Sequence, residues 1–402
     1  MRGALRGAAV ALGVAWGATT VAQPTPEEAA IVQARAAALP LERGVEAVEL
    51  YQPAETVRGA GPTVTPLPTA EPRRAGIDPE ALAEAVRLAE RHRSHALLVA
   101  RHGRLVLERY WNGFDRQSRF STASMHKGVL SLLVGVAVGE GRLAEDDPLA
   151  RYLPEWRRDP RGRVRIAHLL DMASGLAWPP DAPRPPSPTS PNLRLMFAPD
   201  IRKVALEVPK AAEPGTVFAY SNTDSQLLAE ALQSALAVRY ARFLSERIWR
   251  PIGAADATLF LDRPGGSVHG LCCLQAAPMD WVRLGELVRR KGRWAGRQLV
   301  PASWIDRLAR PSALNPNFSR QWWRGHPHAP QRRYGPAIAL TVPAAEPFLA
   351  ADVLFLDGSG GQRLYVIPSA GLVIVRIGAV ALDWDDSQLP NILLRGLQPA
   401  RG

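Results

Sequence analysis

The sequence predicts an α+β protein: an antiparallel β-sheet flanked by helices, with a helical domain inserted between its early and late strands. Three observations carry that prediction. Strand-like apolar runs stand at 96–100 and 105–110, and again at 337–342, 352–356, 363–367 and 372–377. The long stretch between the two groups shows helical periodicity broken by loops. Strands so far apart in sequence share a core only by joining one sheet around the insertion.

Taken in order, residues 1–22 read as a secretory signal peptide. Arg2 and Arg6 form its charged end, and Ala8 to Ala18 is apolar but too short to span a bilayer. Thr20-Val21-Ala22 offers small residues before a mature start at Gln23. The expected location is periplasmic or secreted, with no stable membrane insertion after cleavage. Residues 23–74 join a helical stretch, Glu27 to Ala38, to a Pro-rich segment at 61–68, and read as an N-terminal arm or linker packed poorly on the surface. One domain follows over 75–397. Its α/β part covers about 75–145 and 335–397, and its helical insertion about 146–334.

Within the domain, Asp78-Pro79-Glu80 supplies a cap, a first-turn proline and a first-turn acid for a helix to about His92. His102-Gly103-Arg104 turns the first hairpin. Ser124 to about Val138 is a helix, apolar nearly all round after its first turn, and so belongs at the centre of the domain. A short helix at 166–172 closes on Ser174-Gly175. The Pro-dense run from Trp178 to Pro191 reads as a surface loop. Helices are expected at 225–236, 240–248, 279–290 and 302–310, and a last one at about 387–397.

The net charge is +11, from 49 basic and 38 acidic residues. The basic residues are scattered and no nucleic-acid-binding signature appears, so the charge reads as a solvated surface and no nucleic-acid partner is expected. The two cysteines are adjacent, Cys272 and Cys273. A ring between neighbours would be strained, so they are expected as two small apolar strand residues. His326-Pro327-His328 lacks a partner acid and reads as a surface loop, so no metal is expected. Trp322-Trp323 either walls a pocket or packs in the core.

Only four basic residues are lysines: Lys127, Lys203, Lys210 and Lys291. Lys127 closes the chain's single Ser-x-x-Lys, with Ser124. On a helix that spacing puts both side chains on one face. A desolvated amine can give up its proton and act as a base, whereas a guanidinium effectively cannot. Tyr220-Ser221-Asn222 is a second candidate segment. The phenol is expected to shuttle a proton, with a nearby ammonium lowering its pKa, and Asn222 offers an acceptor to the amine and a donor to a carbonyl. Tyr110-Trp111-Asn112 has the same spacing but lies at a strand end before Ser124. The third segment is Gly358-Ser359-Gly360-Gly361-Gln362, opening a strand. Its glycines allow a substrate to approach, and an amide there plus that of Ser124 would form an oxyanion hole. His126 either lines the cleft or serves the structure.

These segments resemble the serine hydrolases of the class C β-lactamase superfamily, which includes penicillin-binding DD-peptidases, esterases and 6-aminohexanoate-dimer hydrolases. The resemblance covers about Ile77 to Leu397. It rests on Ser124-x-x-Lys127, Tyr220-x-Asn222, Leu169-Leu170-x-Met172-x-Ser174-Gly175-Leu176 and Gly360-Gly361-Gln362 followed by a strand and Pro368. Glu108-Arg109-Tyr110 and Leu299-Val300-Pro301-Ala302-Ser303-Trp304 lean towards the 6-aminohexanoate-dimer hydrolase-like group. The resemblance implies a β-lactamase/penicillin-binding-protein-like fold with the site in a cleft. It implies Ser124 as nucleophile, Lys127 and Tyr220 as the acid/base pair, Asn222 as a positioner, and the amides of Ser124 and Gln362 as the hole, with no cofactor.

Ser359 departs from that pattern, since penicillin-recognising relatives carry Lys or often His there to hold a substrate carboxylate. Ser359, Gly360 and Gly361 are expected beside the substrate, with Arg363 as a possible replacement cation. The expected activity is cleavage of an ester or small amide through a Ser124 acyl-enzyme. A β-lactamase or DD-peptidase, and a penicillin-binding or sensing protein without turnover, are the alternatives.

Overall fold

The computed structural model describes residues 23–39, 43–177, 189–336 and 338–398. The expected signal peptide and most of the Trp178–Pro191 loop lie outside the described residues. A seven-stranded, wholly antiparallel sheet forms the backbone of the fold. From edge to edge it runs Arg104–Tyr110, Ser94–Arg101, Leu372–Gly378, Gln362–Ile367, Leu354–Gly358, Trp322–Arg324 and Phe318–Ser319. Early and late strands meet where Val99 faces Ile374.

Both faces of the sheet are covered, which explains why its central strands are apolar without alternation. Leu98, Ala100, Val373 and Val375 pack into one core with helices His126–Gly139 and Pro278–Arg289. Leu97, Val99, Leu372 and Ile374 pack into the other with helices Pro79–Arg91 and Gln388–Arg395. Asp78 caps the first of these, accepting from the Glu80 N–H at 3.0 Å. Helix His126–Gly139 is buried nearly throughout, because apolar side chains surround it.

The structure corrects three expectations. Residues 23–74 are built into the domain: Ala54–Val57 pairs with Ala257–Phe260, and Tyr51, Val57 and Val64 are buried. Apolar residues spaced among prolines gave no periodic signal of that packing. The helical insertion is shorter than the expected 146–334, since helix Pro278–Arg289 and the strands at 318–324 belong to the main sheet layer. Of the strand expected at 337–342, residue 337 lies outside the described residues and the rest forms a strand only at Thr341–Pro343, paired with Gln331–Arg333 as a separate hairpin. A second sheet, absent from the sequence reading, runs Ala54–Val57, Ala257–Phe260, Leu274–Ala276, Phe120–Ser121. Among the described residues no helix is long and apolar enough to cross a membrane.

Candidate active site

Ser124 sits in a 3-10 turn, Ala123–Met125, that leads into helix His126–Gly139. The second sheet holds this turn. Phe120 faces Ala276 and Ser121 faces Gln275, and two residues later the Cys273 N–H donates to the Ala123 carbonyl at 3.2 Å. The main sheet presses from the other side. A Cβ on Gly358 would stand 2.2 Å from the Thr122 carbonyl oxygen, so only glycine lets strand Leu354–Gly358 come this close.

One turn on, Lys127 is 1% exposed. Its Nζ donates to Ser124 Oγ at 3.0 Å, Asn222 Oδ1 at 2.9 Å and the Leu271 carbonyl at 2.5 Å. None of these partners is charged. Burial pulls the Lys127 pKa down to about 7, with the charge of Asp357 working the other way. An amine uncharged near neutral pH, in contact with a hydroxyl, can accept that hydroxyl's proton. The neighbouring His126 is wholly buried. Its Nδ1 lies 3.1 and 2.8 Å from the His269 and Cys272 carbonyls and its Nε2 3.0 Å from the Tyr240 hydroxyl. Since carbonyls only accept, Nδ1 carries the hydrogen. Burial pulls its pKa to about 4, so His126 is a neutral structural strut.

Asn222 opens helix Asn222–Ala235, which Ser221 caps by accepting from the Asp224 N–H. The Asn222 amide nitrogen donates to Asn192 Oδ1 at 3.3 Å, leaving its oxygen for Lys127. Ser174 donates to Asp224 Oδ1 at 2.7 Å, tying the Ser174-Gly175 turn to this helix start.

Tyr220 stacks on Trp323, centroids 5.6 Å apart, and meets the Tyr334 ring edge-on at 5.2 Å. Lys127 Nζ lies 5.1 Å from its ring centre. Burial, then the charge of Asp357, push the phenol's pKa well up, against a smaller pull from the Ser124 hydroxyl. This corrects the expectation of an ammonium-lowered phenol. Desolvation dominates, so Tyr220 keeps its proton and is chemically able to donate it. Trp322 and Trp323 are both buried, and Trp323 braces Tyr220.

Ser124, Tyr220, Asn222 and Ser359 line a cleft of about 320 Å³. Tyr334, Ile338 and Leu340 make its apolar wall, and Asn192 and Asp357 complete it. Gly360 and Gly361, expected beside the substrate, are not among these lining residues, and neither is Gln362, whose amide was expected in the oxyanion hole. Gln362 is fully buried, its side chain paired with the Gly378 carbonyl and N–H at 2.9 Å each. The Gly360 and Gly361 carbonyls turn back to accept from Arg376. The hairpin bends there, and Ser359 at its tip is the motif residue that faces the cleft. Among the described residues, the N–H groups of Ser124 and Ser359 have no protein acceptor.

Arg363 is not a free cation. It pairs with Asp357 at 2.5 Å and Asp386 at 2.8 Å, and Arg332 closes the ring with Asp357 at 2.9 Å and Asp386 at 2.8 Å. The Tyr334 hydroxyl also donates to Asp357. Arg363 further donates to the Gly358 carbonyl at 3.3 Å, the carbonyl of the peptide whose N–H is that of Ser359. Sequence reasoning missed Asp357, Arg332 and Tyr334. Asp357 adjoins the glycine-rich segment and was findable; Arg332 and Tyr334 carried no local signal. His326 and His328 lie on an exposed loop.

Comparison with known proteins follows this geometry. The sequence profile of the Beta-lactamase family matches residues 80–378. The 6-aminohexanoate-dimer hydrolase of Paenarthrobacter ureafaciens is 23% identical over 258 residues, which span 57% of this chain and 63% of that enzyme. The chain thus spans less than two thirds of that relative's length. A solved structure described as a putative 6-aminohexanoate-dimer hydrolase from Bacillus anthracis superposes with a TM-score of 0.70 at 22% identity, covering 88% of this chain and 92% of that one. A family VIII carboxylesterase superposes with a TM-score of 0.57 at 17% identity, covering 80% and 98%.

Proposed function

This chain belongs to the Beta-lactamase family, a fold family of serine hydrolases, and from that premise we propose that it cleaves an ester or small amide through an acyl-enzyme on Ser124. One observation carries the proposal: a buried amine with a pKa of about 7 stands 3.0 Å from the Ser124 hydroxyl. Neutral Lys127 takes the Ser124 proton as the oxygen attacks the carbonyl carbon. The developing oxyanion rests on the N–H groups of Ser124 and Ser359, both otherwise unspent among the described residues. Tyr220 donates its phenolic proton to the leaving group and recovers it from the Lys127 ammonium, so the proton count closes. Water then releases the acyl group by the same steps. Asn222 holds Lys127 in place.

The substrate reading rests on charge. Arg332 and Arg363 are each charge-paired with Asp357 and Asp386, and Ser359 is neutral. The cleft has no unpaired cation among its lining residues to hold a substrate carboxylate, and Ile338 and Leu340 suit an apolar acyl group. This favours neutral esters and amides over β-lactams. A fluorophosphonate probe is expected to label Ser124, and p-nitrophenyl esters to be hydrolysed faster than nitrocefin. A folded chain that stays unlabelled would exclude the mechanism. Nitrocefin turnover above that of the esters, lost in Ser124→Ala, would reassign it to β-lactams.

Export of the mature chain to the periplasm or medium is part of the same proposal. It is supported by the leader-like residues 1–22 and by the Cys272–Cys273 disulfide, a bond that persists in oxidising compartments. Mass spectrometry of the exported protein should find Gln23 at its N-terminus, and a retained Met1 would count against it.

A further inference from the structure

Cys272 and Cys273 form a disulfide, which corrects the expectation of two unlinked apolar residues. We propose that this ring is a positioning clamp for the reaction centre: it presets the backbone at 271–273, which seats Lys127, His126 and the Ser124 amide together, so that opening it with a dithiol lowers turnover. The proposal rests on the hydrolase reading above.

Three successive residues do the seating. The Leu271 carbonyl accepts from Lys127 at 2.5 Å. The Cys272 carbonyl accepts from the His126 ring at 2.8 Å, one residue before Lys127. The Cys273 N–H donates to the Ala123 carbonyl at 3.2 Å. The last two groups are the two ends of one peptide unit, the unit enclosed by the ring. The Ala123 carbonyl in turn belongs to the peptide whose N–H is that of Ser124. One enclosed peptide therefore orients the candidate oxyanion donor on one side and the strut beside Lys127 on the other.

The backbone there needs holding. Cys273 has φ 74 and Ala123 has φ 49, both left-handed, a region that residues with a Cβ enter reluctantly. Covalent linkage of the two side chains restricts the rotations that would let Cys273 leave it. The pair is 4% and 2% exposed, and Cys272 Sγ rests 3.4 Å from Met196 Sδ on the helix that also carries Asn192. The clamp thus touches, through Met196, the helix that carries the cleft residue Asn192.

Opening needs a dithiol reductant. By exchange, the reductant passes two electrons to the Cys272–Cys273 bond, each sulfur gains a proton, and the reductant closes its own disulfide. Released from the ring, Cys273 is free to relax to negative φ, turning its N–H from Ala123 and shifting the Leu271 carbonyl from Lys127.

The test compares the full chain with Cys272→Ala/Cys273→Ala and Cys272→Ser/Cys273→Ser, and the native chain before and after dithiothreitol, with thiols counted by alkylation and mass. The expected kcat on a p-nitrophenyl ester falls about tenfold or more, since small misplacements at a reacting centre are costly. KM should change by less than about twofold, because the substrate's own contacts remain. The acid limb of kcat should move, and reoxidation should restore both. A variant or a reduced chain with two countable thiols that keeps the oxidised protein's kcat and acid limb overturns the clamp. Absence of fluorophosphonate labelling in the oxidised native chain would instead sink the hydrolase reading. If the alanine pair misfolds, the serine pair and the reduction arm decide.

Discussion

On one wall of the cleft, built from residues 120–127 and 271–276, a single amine is buried among three uncharged hydrogen-bond partners. On the other, built from 331–334 and 354–363 and backed by Asp386, four charges are buried and every one is paired. The ionisable groups of both walls are buried, yet the outcomes are opposite. Without a counter-ion in contact, Lys127 loses its grip on its proton and titrates at about 7. Burial would raise Asp357 too, but Arg332 and Arg363 outweigh it and hold the carboxylate below its usual range. Burial would lower Arg332, but Asp357 and Asp386 hold it above. Desolvation alone thus does not decide whether a buried group moves protons; compensation does. The uncompensated wall is fit for proton transfer. The compensated one is fit to stay rigid and to hold the Ser359 amide through Arg363 and Gly358.

The largest effect should come from giving the uncompensated wall a charge it cannot release. Lys127→Arg keeps a cation but not a base, and kcat/KM should fall on the order of 10³-fold or more at every pH. Activity that returns to Lys127→Arg at high pH would break the contrast. Next, Asp386→Ala strips the compensated wall of one acid and leaves Arg332 and Arg363 sharing Asp357. The chain should lose about 3–5 kcal/mol of stability, read by denaturant titration. A loss under about 1 kcal/mol would mean the ring of charges is not a rigid support.

Tyr220→Phe tests the donor placed between the walls. Removing its proton should slow alkyl esters and amides by about 10²-fold, with p-nitrophenyl esters affected less because their leaving group needs no proton. Equal slowing of both would point to a positioning role instead. The smallest test is the pH profile of the native chain. The base form of Lys127 is the uncharged one, so kcat/KM should rise with pH up to about 7 and then level off, falling about tenfold per unit below it. A limb near the ordinary lysine value would show that water reaches the amine.

Sequence alone determined the local chemistry. A three-residue separation, running from the 3-10 turn into the helix, brings Ser124 to Lys127, since helical geometry sets that spacing. The apolar girdle of helix His126–Gly139 announced its burial, and the paired strand runs announced one sheet around an insertion. Tertiary structure decided what depends on partners far along the chain. Leu271, 144 positions from Lys127, gives the amine its neutral seat. Arg332 and Asp386 turn Arg363 from a candidate substrate anchor into a compensated support. A hairpin bend, invisible in glycine content alone, turns Ser359 to the cleft and Gln362 into the core. The physical reason is one of range. Backbone geometry fixes neighbours three or four residues apart, whereas charge compensation, desolvation and the direction a turn faces are properties of the packed surroundings, which exist only once the chain has folded.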